Sequence, residues 1–211
     1  DLQIYWSDMV LVLAIISILI GSVVAIVQTN IKRLLAYSTI ANVGFILLGI
    51  YTGPNYGFNA ALFYMLTYTL FTTAIFGLLC EIKHGLKPVE AITDLSGLNY
   101  KYPATAVIIL VIMLSMIGIP PFLGFYAKFY IIQSLVLTNH VYIAVFAVIM
   151  TVIGSFYYLR VIKVIYFDKL DEKINRISNH VITYIFVALL FILGLFPNML
   201  SSITFYSITN L

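Results

Sequence analysis

The chain has 211 residues, 63% of them hydrophobic and 9% charged, with a mean hydropathy of +1.08. A soluble domain keeps about a quarter of its residues charged, so this is an integral membrane protein and a soluble catalytic domain is excluded. The net charge of +3 says less than the positions of the charges do.

Hydropathy predicts six membrane elements in an all-α integral membrane fold. The first, 9–27, follows an interfacial Tyr5-Trp6 pair and a Ser7-Asp8 N-cap. The second, 34–51, follows the polar turn Gln28-Thr29-Asn30, and the third is 57–80. The fourth, 104–137, is an almost unbroken apolar run whose one charge is Lys128. The fifth is 141–165, and the sixth, 181–196, is ended or kinked by Pro197. The last is short for a span unless it continues past the proline.

The fourth element is too long for one span. A straight helix over it would measure about 50 Å, against a hydrocarbon core of ~30 Å. The excess sits beside Gly118, Pro120, Pro121 and Gly124. Proline removes a helix donor and clashes with the preceding turn, and glycine lets the chain leave helical geometry. Two half-helices joined by a short irregular piece are expected. Counted back from Thr138-Asn139-His140, Lys128 lies about 16 Å into the second half, near mid-depth. Its butyl stem is too short to snorkel to the interface from there. A lysine at the bilayer centre costs roughly 2.5–3.5 kcal/mol to insert, so a functional lysine in a discontinuous helix is expected.

The loops after elements one, three and five hold Lys32, Arg33, Lys83, Lys87, Lys101, Arg160, Lys163, Lys169, Lys173 and Arg176. The opposite loops hold no lysine or arginine. The positive-inside rule places the basic loops on the cytoplasmic or matrix side. They are read as an orientation signal, with no nucleic-acid or lipid site among them.

Polar residues inside the spans allow two readings. Tyr64, Tyr68 and Thr72 share one face of the third element, which also carries Thr67, Thr69 and Thr73. Ser38 and Asn42 share a face of the second, beside Tyr37. Such residues are common packing contacts between membrane helices; the alternative is a hydrated polar lane for proton transfer. All eight carboxylates lie in loops or at helix ends, so none is at the depth of Lys128. A lysine so placed can gain and lose a proton, as a transport relay requires. His84, His140 and His180 fall outside the spans, and no metal site is expected from them. Cys80 is the sole cysteine, leaving no disulfide, zinc or iron–sulfur ligand set. No Rossmann or P-loop glycine pattern appears, so no redox centre is expected within the chain.

Four stretches, TNIKRLLAYSTIANVGFILLGIY (29–51), DLSGLNYKYP (94–103), MLSMIGIPPFLGFYAKFYI (113–131) and SFYYLRVIKVIYF (155–167), resemble the antiporter-like membrane subunits of respiratory complex I, NADH:ubiquinone oxidoreductase. The branch they resemble is subunit N, subunit 2 in mitochondria. The resemblance covers nearly the whole chain but only the C-terminal part of the family subunit. It implies one five-helix repeat over 1–166 with a discontinuous fourth member, then a loop and last transmembrane helix over 167–211. It places the family's G-K-F-Y lysine on Lys128, with Ala127 where the glycine would be, and implies proton translocation there. The I-K-R lysine falls on Lys32, where a structural and a relay role are both open. Some relatives carry a histidine at the position of Asn42, so a histidine step is not carried over.

The family's first repeat, with its own lysines and glutamate, is absent from this sequence. A fragment or a split subunit is therefore expected, with the N-terminal repeat on another chain or segment. The chain begins at Asp1 without a signal-peptide pattern, as a processed or partial product would. The implied partners are other membrane-arm subunits and the lipid bilayer. The implied cofactors, NADH, FMN, iron–sulfur clusters and ubiquinone, belong to the parent complex. Abundant Ile, Phe, Tyr and Asn fit an AT-rich organellar genome and hence the mitochondrial inner membrane, with a bacterial plasma membrane or plastid thylakoid as alternatives. A subunit of a multi-component cation/proton antiporter and a purely structural membrane-arm scaffold are the competing functions.

Overall fold

The computed structural model describes residues 3–176 and 181–209. In chain order its helices are α1 (Gln3–Val27), α2 (Ile31–Tyr51), α3 (Gly57–Glu81), α4 (Leu98–Lys101), α5 (Pro103–Ile117), α6 (Leu123–Leu137), α7 (Val141–Phe167), α8 (Val181–Leu195) and α9 (Pro197–Thr209). Among the described residues, α1, α2, α3 and α7 are long and apolar enough to cross a membrane. At 15 residues each, α5, α6 and α8 reach only about 22 Å. The four long helices fall where the first, second, third and fifth elements are expected. One boundary differs: Ser7 and Asp8 lie inside α1 instead of capping it. A helix can run on past the apolar run because interfacial water and headgroups tolerate polar side chains.

Local chemistry sets the remaining ends. Asn30 caps α2, its side-chain oxygen accepting from the backbone N–H groups of Lys32 (2.9 Å) and Arg33 (3.1 Å). Pro103 opens α5 in the first turn, where its missing N–H costs nothing. Pro197 opens α9 in the same way, so the sixth element ends at Leu195 and resumes two residues later. The end of α8 packs against the segment joining α5 to α6. A Cβ on Gly194 would stand 3.0 Å from the Leu123 nitrogen and the Pro121 oxygen.

The core lies where α2, α3, α5, α6 and α7 meet, around Leu48, Leu78, Ile112, Leu123, Ile131 and Val161. Outward stripes at helical spacing remain exposed: Met9, Val12, Ile16, Ile20 and Val23 on α1, and Val145, Val148, Val152 and Phe156 on α7. In water such faces would need covering; in a bilayer, acyl chains or neighbouring helices cover them.

The basic loops gather at one end of the bundle. There β1 (Ile82–His84), β2 (Lys87–Pro88) and β3 (Ile174–Arg176) form a small antiparallel sheet of order β2-β1-β3. Its register pairs Ile82 with Arg176 and His84 with Ile174. The helical membrane fold stands, and this sheet is an addition to it that the sequence did not announce, since strands of two or three residues are too short to show a period of two. The same end is tied by the bridge between Asn30 and Ala91. From α7, the Arg160 guanidinium donates to the carbonyls of Ile26 (2.8 Å) and Gln28, closing the C-terminus of α1. At the far end the Tyr51 and His140 rings meet with centroids 4.9 Å apart.

One carboxylate pins the sheet. Asp171 accepts from the Lys173 backbone N–H at 3.0 Å and from the His84 ring at 2.7 Å. The Lys173 bond first, and the His84 bond second, hold its carboxyl below the usual carboxylate range. The stabilisation is therefore present at pH above the ordinary carboxylate value and is lost as pH falls through the lowered folded value. Amide-exchange protection at 82–84 and 174, corrected for intrinsic rates, is expected to drop below about pH 4. Asp171→Asn should show weakened protection at neutral pH and a flat pH profile.

Candidate functional site

The end of α5 is the centre of the site. An α-helix leaves its last four carbonyls without partners, and here each is answered. Gly118, at φ +92°, turns the chain out of the helix. Its N–H donates to Leu114 (3.1 Å) and Ser115 (3.0 Å), and the Ile119 N–H to Leu114 (3.2 Å). The other two carbonyls, Met116 and Ile117, accept from the Nζ of Lys128 at 3.0 and 2.8 Å. The lysine reaches back from the second turn of α6 to cap α5. An ammonium at that place meets the negative end of the helix dipole.

Each breaker residue has a distinct part. Gly118 supplies the left-handed cap, and a Cβ there would press on Lys128 Cδ at 3.1 Å. Pro120 and Pro121 fill the linker between α5 and α6, where neither leaves an N–H to be satisfied. Gly124 permits contact: a Cβ there would overlap the Ser115 carbonyl oxygen and lie 3.2 Å from the Phe71 ring. Among the described residues no carboxylate pairs with Lys128. The Phe45 ring also stands beside it, 5.8 Å from Nζ to its centroid.

Two small cavities flank the half-buried lysine, and Asn42 borders both. Each has a volume of about 10 Å³, close to the space one water needs. The first is lined by Tyr64, Thr67, Tyr68 and Ser115; Thr67 is 1% exposed and its Oγ1 has no partner. The second is lined by Ser22, Thr151, Tyr157 and Tyr158.

Between the cavities runs a bonded chain of neutral groups. Tyr64 donates to Asn42 Oδ1 at 2.7 Å. Asn42 Nδ2 donates to the Ser38 carbonyl at 2.8 Å. The Ser38 and Tyr158 hydroxyls bond each other. Tyr68 donates to Thr39 Oγ1 at 2.9 Å. Tyr64, Tyr68 and Asn42 thus border the same space as Lys128, and Ser38 joins them through Asn42. Thr72 does not belong to this group. It bonds the backbone of its own helix, at Tyr68 (3.0 Å) and Thr69 (3.1 Å), as a membrane-helix hydroxyl without a neighbour does. Lys32 is exposed on the first turn of α2, about 15 Å along the axis from Asn42.

Sequence reasoning missed Tyr158 and the two carbonyl acceptors. Tyr158 lies in an aromatic run, and nothing in that run says which ring turns inward. Carbonyls are carried by every residue, so their use leaves no mark in the sequence. Of the histidines, His84 lies in β1 and His140 in the turn between α6 and α7, and His180 falls outside the described residues. Among the described residues no three of His, Cys, Asp and Glu gather as metal ligands.

Residues 2–154 match the family described as NADH:quinone oxidoreductase/Mrp antiporter, TM. The chain is 44% identical over 201 residues to NADH-quinone oxidoreductase subunit N of Thioalkalivibrio sulfidiphilus, covering 94% of this chain and 42% of that relative. Its fold superposes on a chain of respiratory complex I from Thermus thermophilus with a TM-score of 0.79 at 30% identity, covering 92% of this chain and 45% of that one. A chain of the Mrp complex from Dietzia sp. gives a TM-score of 0.84 at 21% identity, over 98% and 47%, which is a likeness of fold alone. The chain spans less than half the length of these relatives. With the matched region reaching from the first helix through α5, α6 and Lys128 into α7, this chain belongs to the antiporter-like membrane proteins of the NADH:quinone oxidoreductase/Mrp family.

Proposed function

We propose that the chain is the C-terminal portion of a proton-translocating membrane-arm subunit of NADH:quinone oxidoreductase, with Lys128 as its proton carrier. The observation that carries this reading is a lysine bonded to two terminal carbonyls of a broken helix, with a water-sized cavity on either side. An ammonium has three donors. Two are engaged by Met116 and Ile117, and the third is free to leave. The neutral amine keeps both carbonyls satisfied and turns a lone pair toward a cavity. Proton exchange therefore costs the site no hydrogen bond. It does change the charge facing the end of α5, which lets a field from elsewhere in the assembly bias the proton's position. The bonded hydroxyls and amide from Tyr64 through Asn42 to Tyr158 extend the polar path on either side.

In this reading α5 and α6 are one discontinuous transmembrane element, and α8 with α9 another. With α1, α2, α3 and α7 they make six, of which residues 1–166 form a five-helix repeat and 167–211 the loop and last span. The basic loops face the cytoplasm or matrix. The bacterial source of the relatives supports a bacterial plasma membrane and gives none to the mitochondrial inner membrane. Other membrane-arm subunits are the partners, including a chain or segment with the counterpart repeat. NADH, FMN, iron–sulfur clusters and quinone would sit on other subunits, because Cys80 alone cannot ligate a cluster. No glycine-rich turn here cradles a dinucleotide.

The likeness to the Mrp chain keeps an antiporter subunit as the second reading. An assembly purified from native membranes through this chain is expected to carry flavin and iron–sulfur subunits. In liposomes, NADH oxidation should drive its proton uptake. Recovery free of flavin, with proton movement driven by a cation gradient instead, would establish the antiporter reading.

A further inference from the structure

Among the described residues, two and only two border both cavities beside the end of α5: Lys128 and Asn42. One titrates and the other does not. Asn42 is 6% exposed and bonded on both sides. Its Nδ2 donates to the Ser38 carbonyl at 2.8 Å. A backbone carbonyl can only accept, so the amide nitrogen is fixed on that side. Oδ1 then faces Tyr64, whose hydroxyl donates to it at 2.7 Å. The second Nδ2 hydrogen has the Ser38 and Tyr158 hydroxyl oxygens within reach, at 3.3 and 3.4 Å. Tyr64 lines the first cavity and Tyr158 the second, so Asn42 is the link between the two sides.

A hydroxyl passes a proton on by accepting one at its oxygen while releasing its own. An amide keeps its acceptor and its donors on different atoms. To relay, Asn42 would take a proton from Tyr64 at Oδ1 and give one from Nδ2 to Ser38 or Tyr158. That leaves the imidic-acid tautomer, far above the amide in energy. Resetting it for a second proton needs a half-turn of the side chain, which sets its oxygen against the Ser38 carbonyl, acceptor against acceptor. We propose that Asn42 insulates the two cavities from each other, so that a proton crossing between them must pass through Lys128. This inference rests on the proton-carrier reading of Lys128 and deepens it. The chain from Tyr64 to Tyr158 is continuous in hydrogen bonds and closed to protons at its middle. Asn42 is a positioning residue: it holds Tyr64 and Ser38 in place without offering a bypass. A bypass would let protons cross without changing the charge that faces the end of α5, and the crossing would no longer answer to a field from elsewhere.

An isosteric carboxyl supplies what the amide lacks. It takes a proton at one oxygen and releases one from the other. A proton entering at Tyr64 then leaves through Ser38 or Tyr158, and each group ends as it began. The native assembly in liposomes is measured twice: for proton uptake driven by NADH, and for decay of an imposed pH gradient without NADH. Lys128→Gln is expected to lose uptake and to leave the decay slow. Adding Asn42→Asp to it should speed the decay at least about tenfold, with the liposome's own leak hiding part of what a positioned proton-transfer group contributes. Adding Asn42→Leu should not, since leucine fills the wall without a group that titrates. Asn42→His, whose two ring nitrogens relay in the same manner, serves where the aspartate variant does not assemble. Decay no faster with the titratable residue than with Lys128→Gln alone overturns the insulation. Equal acceleration by leucine also overturns it and makes Asn42 a packing residue. Uptake by Lys128→Gln at the parent's level is a different failure: it removes the carrier reading, and the insulation with it.

Discussion

Lys128→Arg is expected to leave the assembly intact and lower NADH-driven proton uptake roughly tenfold or more, within the range a positioned proton-transfer group contributes. Arginine keeps a permanent charge and several N–H donors, so the carbonyls of Met116 and Ile117 remain capped. It cannot release a proton at any working pH. Lys128→Met removes both donors at once and leaves two buried carbonyls bare, at about 1–3 kcal/mol each. It is expected to reduce the amount of assembled complex as well as its pumping. Lys128→Gln lies between: its amide can answer one carbonyl, and it does not titrate. The three variants separate a cap from a carrier. Quantified assembly by native gel, with proton uptake per NADH oxidised in vesicles, is the measurement. If the arginine variant pumps as well as the parent, Lys128 is a helix cap and the proton route lies elsewhere.

That α5 ends at Ile117 and α6 starts at Leu123 was legible in the sequence because its causes are chemical and local. Gly118 and the two prolines cannot continue a helix, and the run of 104–137 is too long for one bilayer. The role of Gly124 was not legible in the same way. It reads as a helix breaker but sits inside α6, where it matters for what it lacks against Ser115. The partners of Lys128 were hidden for a related reason. The sequence shows that no acid lies at its depth, and it cannot show that a helix end comes within 3.0 Å. The grouping of polar side chains beside Lys128 was half legible. Spacing of four put Ser38 with Asn42 and Tyr64 with Tyr68, but only the packing of α2 against α3 joined the pairs. The same periodicity misled for Thr72, since a shared face does not fix which hydroxyl meets a neighbour.

Gly124→Val is expected to have the second largest effect, and to act through geometry alone. A first methyl at 124 already overlaps the Ser115 carbonyl, and overpacking of this kind costs about 1–3 kcal/mol or more. Gly124→Ala should therefore lower the thermal midpoint of the assembly, and valine should abolish most of it. The strain has one outlet, a separation of α6 from the end of α5. That movement carries Lys128 Nζ away from its two acceptors, so surviving Gly124→Ala complex should oxidise NADH with reduced proton uptake. Gly85→Ala is the control. Its φ of +65° is strained for alanine, but nothing lies within 4 Å of the added carbon. It should cost about 1 kcal/mol and leave pumping unchanged. Because the obstacle at 124 is a backbone oxygen, no change of side chain at Ser115 can relieve it. Recovery of the Gly124→Ala complex by Ser115→Gly would show that the contact is between side chains, and that the two helices are free to part without disturbing the lysine.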